Sequence, residues 1–376
     1  LIANGWMQNP VGAEFNPMTM RMELVDVAAV IFNPVAQVKF VHTVAAGYVA
    51  ASLFVMGVSS WYLLRRMEVR FALRSFAIAS GFGLAAILSV IVLGDESGYR
   101  SGEVQKVKLA AIEAEWETEP APASFTLFGL PDQGDETTHG AIKIPYLMGI
   151  IATRSLDEQV TGLKDLKAQH EVRIRSGMLA HDALEALRSG GSNAEARATF
   201  ERHRADLGYG LLLTPYAKEI GKADEGAIAK AVEDSIPQVA PLFWSFRLMV
   251  GIGVLLLGLF AAAFLQLCRG KLVQSPRLLK ALFWSIPLPW IAIEAGWFVA
   301  EFGRQPWTIS DVLPVSASVS LLQPGQLWFS LIAICLIYSC LLVVELFLLR
   351  HVIALGIAFC AAAVAFSIPL SWNTTL

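Results

Sequence analysis

Three apolar stretches of this 376-residue chain carry side chains that could do chemistry. In residues 35–64 the only Lys, Arg, Asp, Glu or His residues are Lys39 and His42. Residues 239–267 carry Arg247 and, two positions on, Met249. Residues 279–301 carry Lys280, Glu294 and Glu301, with Trp297 between the two carboxylates and Arg304 just beyond. Ionisable groups are costly inside a bilayer and are functional candidates there. His42 lies six residues past the external start of its run, roughly 9 Å deep at the helical rise, and Met249 roughly 15 Å deep by the same arithmetic. Histidine with methionine is an axial pair for a low-spin, electron-transferring heme. An interhelical histidine and a packing methionine are the plain alternatives. Arg247 needs an anion, which a heme propionate or a quinone-site carboxylate would supply, unless it snorkels to the interface. Glu301 could ligate a high-spin heme iron or carry a proton, and Arg304 could hold a propionate. An ordinary interfacial Glu301–Arg304 pair is the competing reading.

The elements around these residues follow from composition. The chain is 55% apolar with a mean hydropathy of +0.54, and only 16% is charged, against about 25% in a typical soluble domain. This excludes a disordered chain and a nucleic-acid binder, and argues against an ordinary soluble enzyme. The expected fold is an all-α transmembrane bundle of five to six spans plus a truncated one, with a large, partly helical external loop. The spans are 35–64, 75–94, 239–267, 279–301 and 324–349, with 352–370 a sixth candidate and residues 1–8 the end of another. Pro287 and Pro289 are expected to kink the fourth. The expected divisions are 1–93, a stub and two spans; 94–237, the external domain; 238–349, three spans; and 350–376, an apolar tail. Residues 94–237 hold 16 basic and 24 acidic residues, and the remainder 13 basic and 8 acidic. Short loops with Arg65, Arg66, Arg70 and Arg74, with Arg269, Lys271, Arg277 and Lys280, and with Arg350 mark the cytoplasmic side. Trp6, Trp244, Trp307 and Trp328 fall where an external aromatic belt would sit. The four cysteines form no C-x-x-C, so c-type heme attachment is excluded. The first residue is Leu1, and the chain is expected to begin partway through a longer protein.

Within the external stretch, residues 106–117 mix Lys108, Glu113, Glu115, Trp116 and Glu117. A carboxylate beside a lysine suits deprotonation of a hydroxyl substrate; a solvated charged face is the bland alternative. Residues 155–206 show helical spacing, as in Leu163, Leu166, His170 and Ile174.

Long segments then carry a family resemblance: NGWMQNP (4–10), NPVAQVKFVHTVAAGY (33–48), VLGDESGY (92–99), KLAAIEAEWETEPAPASFTLFG (108–129), DSIPQVAPLFWSFRLMV (234–250) and IPLPWIAIEAGWFVAEFGRQPW (286–307). Over residues 1 to 349 the chain resembles subunit I of the cytochrome bd-type quinol oxidases, in their long-loop branch. The resemblance implies His42 and Met249 as ligands of low-spin heme b, with Arg247 beside it. It implies Glu301 on the iron of high-spin heme b, Trp297 among the hemes and Arg304 on their propionates. It implies Lys108 and Glu113 in quinol binding and oxidation at an external quinol loop. It further implies heme d, dioxygen as electron acceptor, a partner subunit II and a multi-pass place in the bacterial inner membrane, and leaves open a small third subunit. The family's histidine-bearing N-terminal helices do not occur here, so high-spin heme b and heme d would be shared with that part. Residues 350–376 depart from the family's tail. A heme-binding remnant without turnover and a transporter with a large external domain are the competing functions.

Overall fold

The computed structural model describes residues 2–155, 157–189 and 194–355, with side chains described to residue 351. It divides into two compact units, Leu1–Ser318 and Val319–Leu376. The first opens with helix α1 (Ile2–Gln8), an antiparallel hairpin β1 (Ala13–Asn16) and β2 (Arg21–Leu24), helix α2 (Val27–Ile31) and the long helix α3 (Pro34–Leu64). Asn33 starts α3: its side-chain oxygen accepts from the Val35 and Ala36 amides, and Pro34 fills the first turn, where its missing N–H leaves nothing unsatisfied. The Asn33 amide also donates to the Asn9 carbonyl at 2.7 Å. That bond holds the α1 segment against the start of α3. Contact there is close, since a Cβ on Gly5 would lie 2.4 Å from the Ala36 Cα.

Helix α4 (Val69–Val104) follows. At 1.5 Å per residue its 36 residues span about 54 Å, against a hydrocarbon thickness of about 30 Å. The expected division at residues 93 and 94 therefore falls inside a continuous helix. The polar end stays helical because Arg100 pairs with Glu96 at 3.0 Å and with Glu103 at 2.8 Å, at the four- and three-residue spacings of one helix face.

The polar stretch comprises α5 (Lys106–Glu113), an antiparallel hairpin β3 (Phe125–Asp132) and β4 (Thr137–Ile144), a π-helical turn at Gly149–Thr153, and four helices. These are α6 (Leu163–Arg188), α7 (Ala194–His203), α8 (Leu207–Leu211) and α9 (Glu225–Glu233). Helix α10 (Val239–Cys268) then returns to apolar sequence. The next apolar run is broken into α11 (Pro276–Trp284) and α12 (Leu288–Phe302) at residues 285–287, where the two prolines lead the chain into a new helix. A short antiparallel pair, β5 (Trp307–Ile309) and β6 (Leu313–Pro314), closes the unit. The second unit contains α13 (Pro324–Leu355).

Five helical segments are long and apolar enough to cross a membrane: Val27–Leu64, Val69–Val104, Val239–Cys268, Pro276–Phe302 and Pro324–His351. The sixth candidate lies mostly outside the described residues, as does the apolar tail from 356 onward. In the first unit, α4 packs on α3 and α10, α10 on α12, and α11 on α3. Phe76, Phe260, Leu53, Met56 and Leu256 are fully buried between them, while residues such as Ile78, Phe82, Val92 and Val254 face outward, as a lipid-facing surface requires.

Three cores lie among the described residues of the polar stretch, of which a small one gathers Ala183, Leu184 and Phe200 and two larger ones matter here. One joins Leu109, Ile112, Trp116 and Met148 to Val239, Leu242, Phe243 and Val299 at the ends of α10 and α12. The other gathers Ile174, Tyr209, Leu213, Ile228 and Trp307. Trp307 is thus not a residue of an interfacial belt. Its ring packs 4.9 Å from that of Tyr209, in a core that sequence spacing alone did not reveal.

Candidate functional site

The site lies where α5 packs against the ends of α10 and α12. Helix α5 ends on Ala114, whose left-handed backbone (φ 52°) reverses the chain sharply. Its amide returns to the Ala111 carbonyl at 3.2 Å, and that of Glu115 to Ala110 at 2.9 Å, a C-terminal closure usually made by glycine. The turn drives Glu113, Glu115 and Trp116 inward. Lys108 is 5% exposed, Glu113 2% and Glu115 8%, so this charged run is no solvated face.

Arg247 of α10 holds the turn. Its guanidinium donates to Glu113 Oε2 at 2.8 Å, to the Ile112 carbonyl at the end of α5, and to the Thr126 carbonyl on β3. It also lies 3.6 Å from the centroid of the Phe243 ring. The anion that the sequence required for Arg247 is therefore Glu113, 134 residues away in the chain. A cation on the carbonyl end of a helix and a paired carboxylate both favour this arrangement. Burial pushes the Glu113 carboxyl up to about 7 against the pull of Arg247, and burial pushes Glu115 up to about 7 although Lys143 stands 3.5 Å away.

Lys108 points the other way. Its stem crosses Gly303 at the end of α12, where a Cβ would lie 2.6 Å from the lysine Cγ. Its ammonium donates to Gln105 Oε1 and, at 3.1 Å, to Gln8 Oε1. Lys39 donates to the same Gln8 oxygen. The Gln8 amide donates to Asn4 Oδ1 at 2.7 Å, and Asn4 donates to Glu301. Arg304 donates to the other Glu301 oxygen at 2.7 Å. A continuous hydrogen-bonded chain thus runs from Lys108 to Glu301 through two amides of α1. Burial, aided by the neighbouring charges of Lys39 and Arg304, holds the Lys108 ammonium well below the usual lysine range.

His42 and Met249 stand on different helices of the same packed group, α3 and α10. A Cβ on Gly94 of α4 would touch the His42 ring at 3.5 Å, and one on Gly296 of α12 would fall 2.8 Å from Met249 Sδ. His42 Nδ1 is buried with no hydrogen-bond partner among the described residues. The same holds for Nε and Nη1 of Arg304 and for Nε of Arg247. Trp297 is 62% exposed, and Glu294 shares its outward face of α12.

Fold and site together define a polytopic helical membrane protein whose ionisable residues gather at one end of the bundle. A profile of the cytochrome bd terminal oxidase subunit I family matches residues 1–357. The chain is 50% identical over 356 residues to cytochrome bd-II ubiquinol oxidase subunit 1 of Escherichia coli (strain K12), covering 95% of this chain and 69% of that one. It is 32% identical over 358 residues to cytochrome bd ubiquinol oxidase subunit 1 of Bacillus subtilis (strain 168), covering 95% and 64%. In fold it resembles the bd oxidase from Geobacillus thermodenitrificans, with a TM-score of 0.68, 23% identity and coverage of 93% and 65%. This chain belongs to the cytochrome bd terminal oxidase subunit I family. It spans about two thirds of the length of these curated relatives.

A cytochrome carries heme, and the residues present fit one. An imidazole nitrogen without a partner, a thioether, and glycine against both side chains suit an iron held between helices. The unsatisfied Arg304 nitrogens suit a carboxylate. Sequence reasoning singled out His42, Met249, Arg247, Glu301 and Arg304 but missed Asn4, Gln8 and Gln105. The one available signal was the four-residue spacing of Asn4 and Gln8, which sets both amides on one helix face.

Proposed function

We propose that the chain works as the quinol-oxidising subunit I of a cytochrome bd-type terminal oxidase, which passes electrons from quinol to dioxygen and so sustains a proton gradient. The observation that carries this reading is the buried Lys108 and Glu113 pair, set between Arg247 and the Glu301–Arg304 pair beside the helices of His42 and Met249. His42 and Met249 would hold low-spin heme b, with Arg247 near it. Glu301 would hold high-spin heme b, with Trp297 and Arg304 as further cofactor contacts; heme d is the third cofactor of the class. Bound heme supplies one-electron redox chemistry that no side chain here can provide.

The chain's own residues prepare the substrate. A carboxyl with a pKa of about 7 is a suitable general base at neutral pH, and Glu113 would take a quinol hydroxyl proton. Lys108 would hold a quinol oxygen through its ammonium. The apolar core of Leu109, Ile112 and Phe243 excludes water around them. The arginine- and lysine-rich loops at the opposite helix ends support an external position for residues 94–237, so a proton taken there would be released outside. Subunit II, and a small third subunit, would complete the assembly in the bacterial inner membrane.

The test is a reduced-minus-oxidised optical spectrum of membranes carrying the assembled oxidase, its His42→Ala variant and its Met249→Ala variant. Loss of the low-spin b signal in both, with the other heme bands retained, is the expected result. An unchanged spectrum in both overturns the heme assignment.

A further inference from the structure

Lys39 has no role in the reading above, yet its surroundings are unusual. It lies one turn before His42 on α3, roughly 4.5 Å along the axis toward the insert. Its ammonium meets the amide oxygen of Gln8, which also accepts from Lys108. One amide oxygen thus stands between two lysines. The neighbouring Arg304 is a cation with two buried nitrogens unsatisfied among the described residues. The carboxylate of this cluster is Glu301, which already accepts from Arg304 and from Asn4. Even with Lys108 left out of the count, Lys39 and Arg304 facing one carboxylate leave positive charge in excess, and buried charge is retained where a partner of opposite sign completes it. By contrast, Arg247 has its own carboxylate in Glu113, so the excess is particular to this cluster.

We propose that Lys39 joins Arg304 in holding the carboxylate arms of heme, with Gln8 as the brace that keeps Lys39 apart from Lys108. The proposal rests on the heme reading above. The ligand is a heme carboxylate, from either the heme held by His42 or the one held by Glu301. Because Gln8 Oε1 is shared, a carboxylate that draws Lys39 away leaves the amide oxygen to Lys108. The lysine on the substrate side is thereby tied to the occupancy of the cofactor site.

The experiment is an optical redox titration of the assembled oxidase, with heme content measured by pyridine hemochromogen, for the wild type and Lys39→Gln. A cation beside a heme carboxylate favours the reduced form. Its loss is expected to move the reduction equilibrium of one heme at least tenfold toward the oxidised state, 59 mV for one electron. Lys39→Arg is expected to retain the wild-type midpoint. A shift confined to the low-spin b band assigns the carboxylate to the His42 heme, and a shift in the other b-type band assigns it to the Glu301 heme. Gln8→Glu, which offers Lys39 an internal anion, is expected to move the same band in the same direction, and decides the matter if Lys39→Gln does not assemble. Full heme content with unchanged midpoints in the assembled variants overturns the proposal. A wild type without heme, or a His42→Ala variant with every band intact, overturns the parent reading instead.

Discussion

The two halves of the polar insert treat charge in opposite ways. In residues 106–160, Lys108, Glu113 and Glu115 are buried and satisfied by groups on α10, α1 and β4. In residues 163–236, the charged groups mostly meet in water: Arg175 with Glu171 and Glu225, Lys222 with Glu219, Arg204 with Glu201. Both halves have apolar cores, so core-building alone does not account for the difference. Buried charges in the first half lower its stability unless each keeps its partner, whereas exposed pairs in the second can be lost without penalty. The first half holds the proposed reaction site, and the second is built as a scaffold. The scaffold is nonetheless latched to the chain beyond α12. Arg173 bonds Asp206 at 2.7 Å and Asp311 at 3.0 Å, and the Tyr209 hydroxyl donates to Asp311 at 2.9 Å.

This contrast can be broken most directly at Arg247. Arg247→Leu leaves the Glu113 carboxylate buried without its partner, and a loss of about 3–5 kcal/mol is expected by thermal unfolding of the assembled protein. The double variant with Glu113→Leu should recover much of it. If the single variant melts with the wild type, the first half is not built around this pair.

Next in size is the response to pH. As the proposed base Glu113 must be ionised to take a proton, so on that proposal quinol oxidation should rise between pH 6 and 8 through a midpoint near its pKa of about 7. Glu113→Gln should remove both the step and most of the rate. Stability has the opposite sign. Glu113 and Glu115 are raised from the ordinary 4.5 to about 7, so the folded state holds more protons than the unfolded one across that window. Raising the pH through it should lower the melting temperature, and Glu115→Gln should flatten the slope.

Lys167 joins the halves, bonding Glu136 of the hairpin turn and Glu233 of α9, each at 2.5 Å. Lys167→Met should lower stability by about 1 kcal/mol, between the buried and the exposed cases. At the small end, Arg175→Ala should leave both the melting curve and the quinol oxidation rate where they were. A large effect there would remove the distinction between site and scaffold.

His42 and Arg247 stand out in the sequence because they interrupt long apolar runs, where polar groups are rarely tolerated without a use, whereas Met249, itself apolar, stands out only by its depth relative to His42 and by the family resemblance. The break at residues 285–287 was legible in Pro287 and Pro289. Lys108 and Glu113 looked like any charged run, since their burial is made by Phe243, Val299 and Gly303, which are far off in sequence. Asn4 and Gln8 gave no charge signal at all. The outer end of α4 escaped notice because its residues are polar, and helix continuity depends there on ion pairs rather than on hydropathy.

That continuity makes α4 a gauge of rotational phase. Helix α5 begins two residues after α4 ends, so the direction in which Lys108 and Glu113 face follows the angular position at which the long rod terminates. One residue inserted between Asp95 and Glu103 would turn everything after it by about 100° and advance it by about 1.5 Å, swinging α5 away from Arg247. Seven residues would return it to within about 20° of its original bearing, though displaced outward by about two turns. The length of this helix, counted modulo its own period, is therefore a specification of where Lys108 and Glu113 point.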